Sequence, residues 1–204
     1  MGIYRSRVLP FLIQLSMRQE MLVPYRSRIV PAAEGRVLEI GIGPGFNLPF
    51  YTDKVGEVIG LDPSPQLLAI ARRAELRASA GVELVEGSAE AIPIEDASVD
   101  TVVMTWTLCS IPDAAAALRE ISRVLKPSGR LLFVEHGLAP DPGVRRWQDL
   151  LTPIWKRLGG GCHLNRAIAI LIESAGFRID HLATGYMRGP RPMTFMYEGS
   201  ARPR

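Results

Sequence analysis

Cysteine is scarce in this chain: Cys109 and Cys162 are the only two in 204 residues, too few and too isolated for a disulfide framework or a CxxC metal site. Reduced thiols and no bound metal are the expectation. Long apolar runs are also missing. The longest fall well short of the ~20 residues a membrane-spanning helix needs, and the N-terminus lacks a signal-peptide layout. The default compartment is therefore cytoplasmic. Nor does charge of one sign dominate. The net value is +3, whereas a nucleic-acid surface calls for a more widely spread basic face with exposed aromatics, so no nucleic acid partner is expected. What is present is ordinary for one globular domain with a sizeable core: 47% hydrophobic and 22% charged residues.

The positive charge gathers at the start. Residues 1–30 hold Arg5, Arg7, Arg18, Arg26 and Arg28 against Glu20, a local +4 that leaves −1 for the rest. Ser6 to about Val23 reads as a helix, with Ser6 as a candidate N-cap and Pro10 tolerable only in the first turn. Val8, Leu9, Phe11, Leu12, Ile13, Leu15, Leu22 and Val23 form one broad apolar face flanked by arginines. Residues 1–30 are thus an amphipathic segment set before a domain at 31–204. It is expected to act as a lid on a substrate pocket, or through residues 1–28 as a peripheral contact with an anionic membrane. The start Met1-Gly2-Ile3-Tyr4-Arg5-Ser6 also fits the loose myristoylation pattern, which has so few fixed positions that chance accounts for it. Pro24 and Pro31 are expected to break the helical run.

From Arg36 to Ala139 strand and helix signals alternate, the mark of a mostly parallel sheet with helices on both faces. Strands are predicted near 37–41, 58–62, 82–86, 99–105 and 130–135, and helices near 65–78, 113–125 and 166–175. Gly176 ends the last helix. Phe177-Arg178-Ile179 and 193–197 read as closing strands, which makes seven in a single Rossmann-like α/β domain.

At the centre stands Arg36-Val37-Leu38-Glu39-Ile40-Gly41-Ile42-Gly43-Pro44-Gly45, a buried strand ending in glycines at every second position. Such a loop lets backbone approach a ligand with no Cβ in the way. Val58-Ile59-Gly60-Leu61-Asp62 follows, placing a carboxylate about 20 residues on, where nucleotide-type folds bind ribose hydroxyls. A dinucleotide fingerprint needs a third glycine at position 46, for close approach to a pyrophosphate. The chain has Phe46 there, which argues for another adenosine-containing cofactor.

Glu39-Ile40-Gly41-Ile42-Gly43-Pro44-Gly45, with Asp62-Pro63, resembles the first motifs of class I S-adenosylmethionine-dependent methyltransferases. Val85-Glu86-Gly87-Ser88-Ala89-Glu90 resembles the family's adenine-binding stretch, with Ser88 where an aspartate is usual, so that contact is weaker or made through water. Leu118 to Gly129 resembles a structural helix-and-turn signature of the superfamily. Thr107-Leu108-Cys109-Ser110, Glu135-His136, Trp147-Gln148, Pro153-Ile154-Trp155, Gly161-Cys162-His163-Leu164-Asn165-Arg166 and Ala175-Gly176-Phe177 resemble the thiol S-methyltransferase branch.

The resemblance implies S-adenosylmethionine as cofactor and S-adenosylhomocysteine as product. It implies Glu39, Gly41, Gly43, Gly45, Asp62, Pro63, Ser88, Ala89 and Thr105 as cofactor residues. Trp106 and Cys109 are pocket candidates, because the end of the fourth strand lies beside the crevice. His136, at the end of the fifth, is the candidate general base, its pKa lying near working pH. His163 beside Cys162 is a weaker candidate, since no third ligand has metal-site spacing along the chain. The expected acceptor is a small lipophilic thiol. The alternatives are a phospholipid headgroup amine, a quinone-like lipid, or a non-catalytic cofactor-binding protein.

Overall fold

The computed structural model describes residues 4, 8–75 and 80–204. Its strands are β1 (Gly35–Ile40), β2 (Val55–Asp62), β3 (Gly81–Glu86), β4 (Val99–Thr105), β5 (Leu125–His136), β6 (Phe177–Tyr186) and β7 (Phe195–Pro203). They form one sheet in the order β3-β2-β1-β4-β5-β7-β6. The pairs among β1 to β5 are parallel, and β7 runs antiparallel to both neighbours. The sheet of the sequence reading is thus present. Strand order reverses at β1 and β4, which opens a crevice beyond their carboxyl ends.

Two apolar layers follow from the period-2 pleat, because successive side chains point to opposite faces. Leu38, Ile40, Val102, Met104, Leu131 and Phe133 pack on one face with Leu118 and Ile121 of α4 (Ala114–Val124) and Ile168 and Ile172 of α6 (Ile168–Ser174). Val37, Val103, Leu132 and Val134 take the other, against Ile29 of α2 (Val23–Ile29) and Leu68 of α3 (Pro65–Glu75). Parallel strands covered on both sides have to read as near-continuous apolar runs, and these do. Asp113 caps α4, its Oδ1 accepting from the Ala116 N–H at 2.9 Å.

The N-terminal reading needs correction. α1 covers only Leu9–Met17, with Pro10 in its first turn as required; a 3₁₀ turn at Glu20–Leu22 follows, and then α2. Pro24 opens α2 instead of ending a helix, since proline's missing N–H costs nothing at a helix start. Pro31 lies in a further 3₁₀ turn, Val30–Ala32. Ser6, the Gly2 pattern and the end of the predicted 65–78 helix fall outside the described residues. The sequence reading also missed a 17-residue helix, α5 (Pro142–Leu158), which tolerates Pro153 in its interior. The last strand starts at Phe195; Met193 ends a 3₁₀ turn, Arg191–Met193.

α2 is tied to β7. Arg28 Nε and Nη2 donate to the two carboxylate oxygens of Glu198 on β7 at 2.8 and 2.6 Å, a two-pronged pair that Lys could not make. Among the described residues no helix is long and apolar enough to cross a membrane.

Candidate functional site

β1 ends in a loop whose Gly41, Gly43 and Gly45 have φ of 69°, 54° and 79°, a region that side-chain-bearing residues rarely enter. The Gly41 and Ile42 N–H groups donate to the Leu61 carbonyl at 2.8 and 3.1 Å, tying the loop to β2. A Cβ on Gly43 would find only the Gly41 oxygen, 3.9 Å away; the space beside it is open to the crevice. Gly45 differs. A Cβ there would meet Leu48 and Ala74 at 3.0 and 3.1 Å, so this glycine lets the loop pack and does not line the cavity.

Asp62 closes the loop from β2. Its Oδ2 accepts from the Gly43 N–H at 3.0 Å and its Oδ1 from the Ser64 N–H at 2.8 Å. It is 5% exposed; burial raises its pKa, and the two backbone bonds work against that rise. An ionised carboxylate accepts about four hydrogen bonds, so this one keeps room for a pair of vicinal hydroxyls. The adjoining cavity, about 950 Å³, is lined by Glu39, Gly41, Gly43, Asp62, Pro63, Ser88, Ala89 and Thr105, and further on by Trp106, Cys109 and His136. Of the cofactor and pocket residues expected from sequence, only Gly45 is outside it. Ser88 is exposed, its Oγ accepting from the Glu90 N–H at 3.2 Å.

Below the loop lies a network that the sequence reading missed. Asn47 Nδ2 donates to Glu39 Oε1 at 2.9 Å and to Thr105 Oγ1 at 3.0 Å. The Tyr51 hydroxyl donates to Glu39 Oε2 at 2.7 Å. Arg26, only 3% exposed, donates from Nε to Asn47 Oδ1 at 3.1 Å and from Nη2 to the Met17 carbonyl at 2.9 Å. Its guanidinium lies 5.0 Å from the Trp106 ring centroid and 5.6 Å from that of Phe46, within cation–π range. Sequence marked Arg26 only as one of five basic residues; the fold makes it a buried cation in the cavity wall. Desolvation lowers its pKa to about 10, with Glu39 opposing.

Glu39 is fully buried, and desolvation outweighs its hydrogen bonds and Arg26 to raise its pKa to about 7 from 4.5. The native state therefore binds more protons than the unfolded chain between those values, so stability is lost as pH rises through about 7. The ligand-free protein should melt at lower temperature at pH 8 than at pH 5.5, by about 2 kcal/mol in stability, the part of the shift that lies above pH 5.5. Glu39→Gln should flatten that dependence. Calorimetry checks both, and equal slopes in the two proteins would refute the assignment.

Beside this network the chain leaves β4 in a strained turn. Trp106 has φ of 51°, an outlier for a bulky residue, held there by its N–H donating to the Val134 carbonyl at 2.7 Å. The following N–H groups point at one carboxylate. Thr107 and Leu108 donate to Glu135 Oε1 at 2.7 and 2.9 Å, and Cys109 to Oε2 at 3.4 Å. Glu135 is fully buried, and that burial raises its pKa. In sequence it had no role beyond standing beside His136.

This turn brings Cys109 to His136 and Cys162. His136 Nε2 lies 3.2 Å from Cys162 Sγ, and the three ligand atoms are all within 4.8 Å of one another. Sharing a bond with Cys162 lowers the Cys109 pKa well below that of a free thiol, and the same bond raises that of Cys162. Burial pushes His136 down most strongly, but the charge on Cys109 and a hydrogen bond to it together outweigh that and leave the imidazole raised. The spacing that argued against a metal is spacing along the chain, which says nothing of groups that meet only in the fold. His163 is turned away, its Nδ1 on the Cys109 carbonyl at 3.1 Å.

α1 lines the cavity with Leu9, Pro10, Leu12, Ile13 and Leu15. Phe11 of α1, 62% exposed, and Leu150 and Ile154 of α5 are exposed and lie outside that lining.

A family model for the methyltransferase domain matches residues 38–133. Thiol S-methyltransferase TMT1B of Rattus norvegicus is 34% identical over 166 residues, 79% of this chain and 68% of that protein. A phosphatidylethanolamine N-methyltransferase of Cereibacter sphaeroides is 35% identical over 116 residues, 56% of each chain. Among solved structures, an S-adenosylmethionine dependent methyltransferase from Mesorhizobium loti shares the fold with a TM-score of 0.67 and 20% identity, over 91% of this chain and 99% of that one.

Proposed function

The chain belongs to the S-adenosylmethionine-dependent methyltransferases, and from that membership we propose that its methyl acceptor is a small lipophilic thiol. When bound, the cofactor supplies a methyl group on a sulfonium, already activated toward a nucleophile. In this reading Asp62 accepts from the two ribose hydroxyls, and the open side of Gly43 admits the cofactor past the loop. Pro63, Ser88 and Ala89 flank the adenine, with the Ser88 hydroxyl standing where a carboxylate is usual. Arg26 and Glu39 offer opposite charges to the zwitterionic amino-acid end, while Asn47 and Thr105 hold them in register. Much of the catalysis is then positioning, which a packed cavity can supply.

The observation that carries the thiol reading is the relationship to a thiol S-methyltransferase over 79% of the chain. The chemistry at the acceptor end agrees: an apolar wall with Trp106, Trp155 and Met193 surrounds the Cys109, His136 and Cys162 cluster. A free thiol near pKa 8.5 is a few per cent ionised at pH 7, so a group that takes its proton accelerates attack. His136 or the cluster around it is placed for that.

A second reading, a phospholipid headgroup amine, draws on the apolar residues exposed on α1 and α5 beside a basic N-terminus, a combination that suits a cytoplasmic protein resting on an anionic bilayer. Transfer of a labelled methyl group to a panel of alkyl thiols, amines, quinone-like lipids and phospholipid vesicles separates the two. Alkyl thiols should be labelled. Label appearing only in phosphatidylethanolamine or in a quinone would defeat the thiol reading.

A further inference from the structure

The acceptor end of the cavity holds two thiols and an imidazole that the cofactor site does not use. They come from three separate elements: Cys109 from the turn after β4, His136 from the end of β5 and Cys162 from the loop after α5. Each is under 10% exposed, yet each lines the cavity, so the cluster is shielded from solvent and open on its ligand side. Tetrahedral zinc with Zn–S near 2.3 Å and Zn–N near 2.0 Å puts its donor atoms about 3.5–3.8 Å apart. The cluster, with all three donor atoms within 4.8 Å and one pair at 3.2 Å, needs only side-chain adjustment to reach that.

Its backbone is already set. Glu135 fixes the Cys109 amide, the His163 N–H donates to the Cys109 carbonyl at 2.8 Å, and Arg166 Nη2 donates to the Ile111 carbonyl at 2.6 Å. Ligands held this rigidly lose little entropy when a metal arrives. Two thiolates and an imidazole select soft or borderline divalent cations over magnesium or calcium.

We infer that Cys109, His136 and Cys162 form a three-ligand site for a zinc-class divalent cation whose fourth position opens into the acceptor cavity. Three protein ligands with one open position is the arrangement of catalytic rather than structural zinc. Resting on the thiol reading above, the open position captures the acceptor. The acceptor sulfur releases its proton to solvent as it becomes the fourth ligand. Its electron pair then forms the new bond to the methyl carbon, while the old methyl–sulfur bond breaks and leaves its pair on the cofactor's sulfur. The product thioether is neutral and a weak ligand, so it leaves.

Cobalt(II) is the probe, because thiolate ligands give it a charge-transfer absorption that silent zinc lacks. The full chain, reduced and freed of metal by a chelator, should bind one equivalent of cobalt with that band, and zinc should displace it. Adding a small alkyl thiol should shift the band as a third thiolate joins. Cys109→Ser and Cys162→Ser should each weaken binding by more than the ~10–100-fold that loss of an outer-shell partner costs, and circular dichroism establishes that they fold. Absence of the band in the reduced native chain, or its persistence in the double serine variant, overturns the site. A band that alkyl thiols leave unmoved overturns the capture step. Because metal binding is read without turnover, a protein that binds cobalt but methylates no thiol faults the acceptor reading and leaves the metal site standing.

Discussion

Asp62→Ala should weaken S-adenosylmethionine binding by roughly 2–4 kcal/mol, about a 30- to 900-fold rise in Kd. The side chain is a buried carboxylate held in place by the Gly43 and Ser64 N–H groups. Its alanine replacement should leave two ligand hydroxyls without an acceptor and removes one tie of the glycine loop to β2, the bond from the Gly43 N–H. Asp62→Asn, with one acceptor oxygen and no charge, should fall between. Gly43→Val tests the other side of the same contact. It sets a branched side chain at a φ of 54° and fills the space that the missing Cβ leaves open, so binding should drop below detection while β1 and β2 remain paired. Titration calorimetry with S-adenosylhomocysteine measures both. Wild-type affinity in both variants, with unchanged melting temperatures, would move the cofactor elsewhere.

Glu135→Ala is expected to cost the fold more than any surface change. The carboxylate is the acceptor for the Thr107, Leu108 and Cys109 amides, and an unpaired buried donor costs about 1–3 kcal/mol. Removing a desolvated carboxylate gives some of this back, so the net loss should be about 3–5 kcal/mol. For a chain of this size that lowers Tm by about 6–20 °C. Glu135→Gln should lie between, since it keeps one acceptor oxygen but turns an NH₂ toward an N–H. Cofactor affinity should fall as well, though less than in Asp62→Ala, because Thr107 of this turn packs against Gly41, where a Cβ would clash with the Thr107 Oγ1. A Tm drop under 2 °C in Glu135→Ala would mean that water replaces the carboxylate and that the turn needs no anchor.

What could be read from the sequence was what local patterns write. Glycines at 41, 43 and 45, a carboxylate at 62 and apolar runs of strand length located the sheet and the cofactor side of the cavity. α5 escaped because Pro142 and Pro153 resemble breakers, although a proline at a helix start is harmless and one inside can be accommodated. Arg26 looked like a solvated charge since Ser27 and Arg28 follow it; only the fold sets Asn47 and the Phe46 and Trp106 rings around it. Glu135 looked like one polar residue in a strand, because its partners are backbone amides and backbone leaves no trace in composition. Cys109 and Cys162 seemed unrelated for the same reason. Their meeting depends on the turn after β4 and the loop after α5 converging beside β5.

The position of β7 also governs how this molecule is made. It follows β6 in the chain, yet it lies between β5 and β6. Until it arrives, β5 presents a row of unpaired backbone groups, the kind of edge that recruits other chains. β1 through β5 can pair as they emerge, so the nascent chain holds a finished cofactor half next to an unfinished acceptor half. Arg28, which precedes the sheet, gains Glu198 only once β7 has been made. The edge of β5 is therefore the one that stays open longest, and a chain cut before β7 should expose it for pairing with other chains.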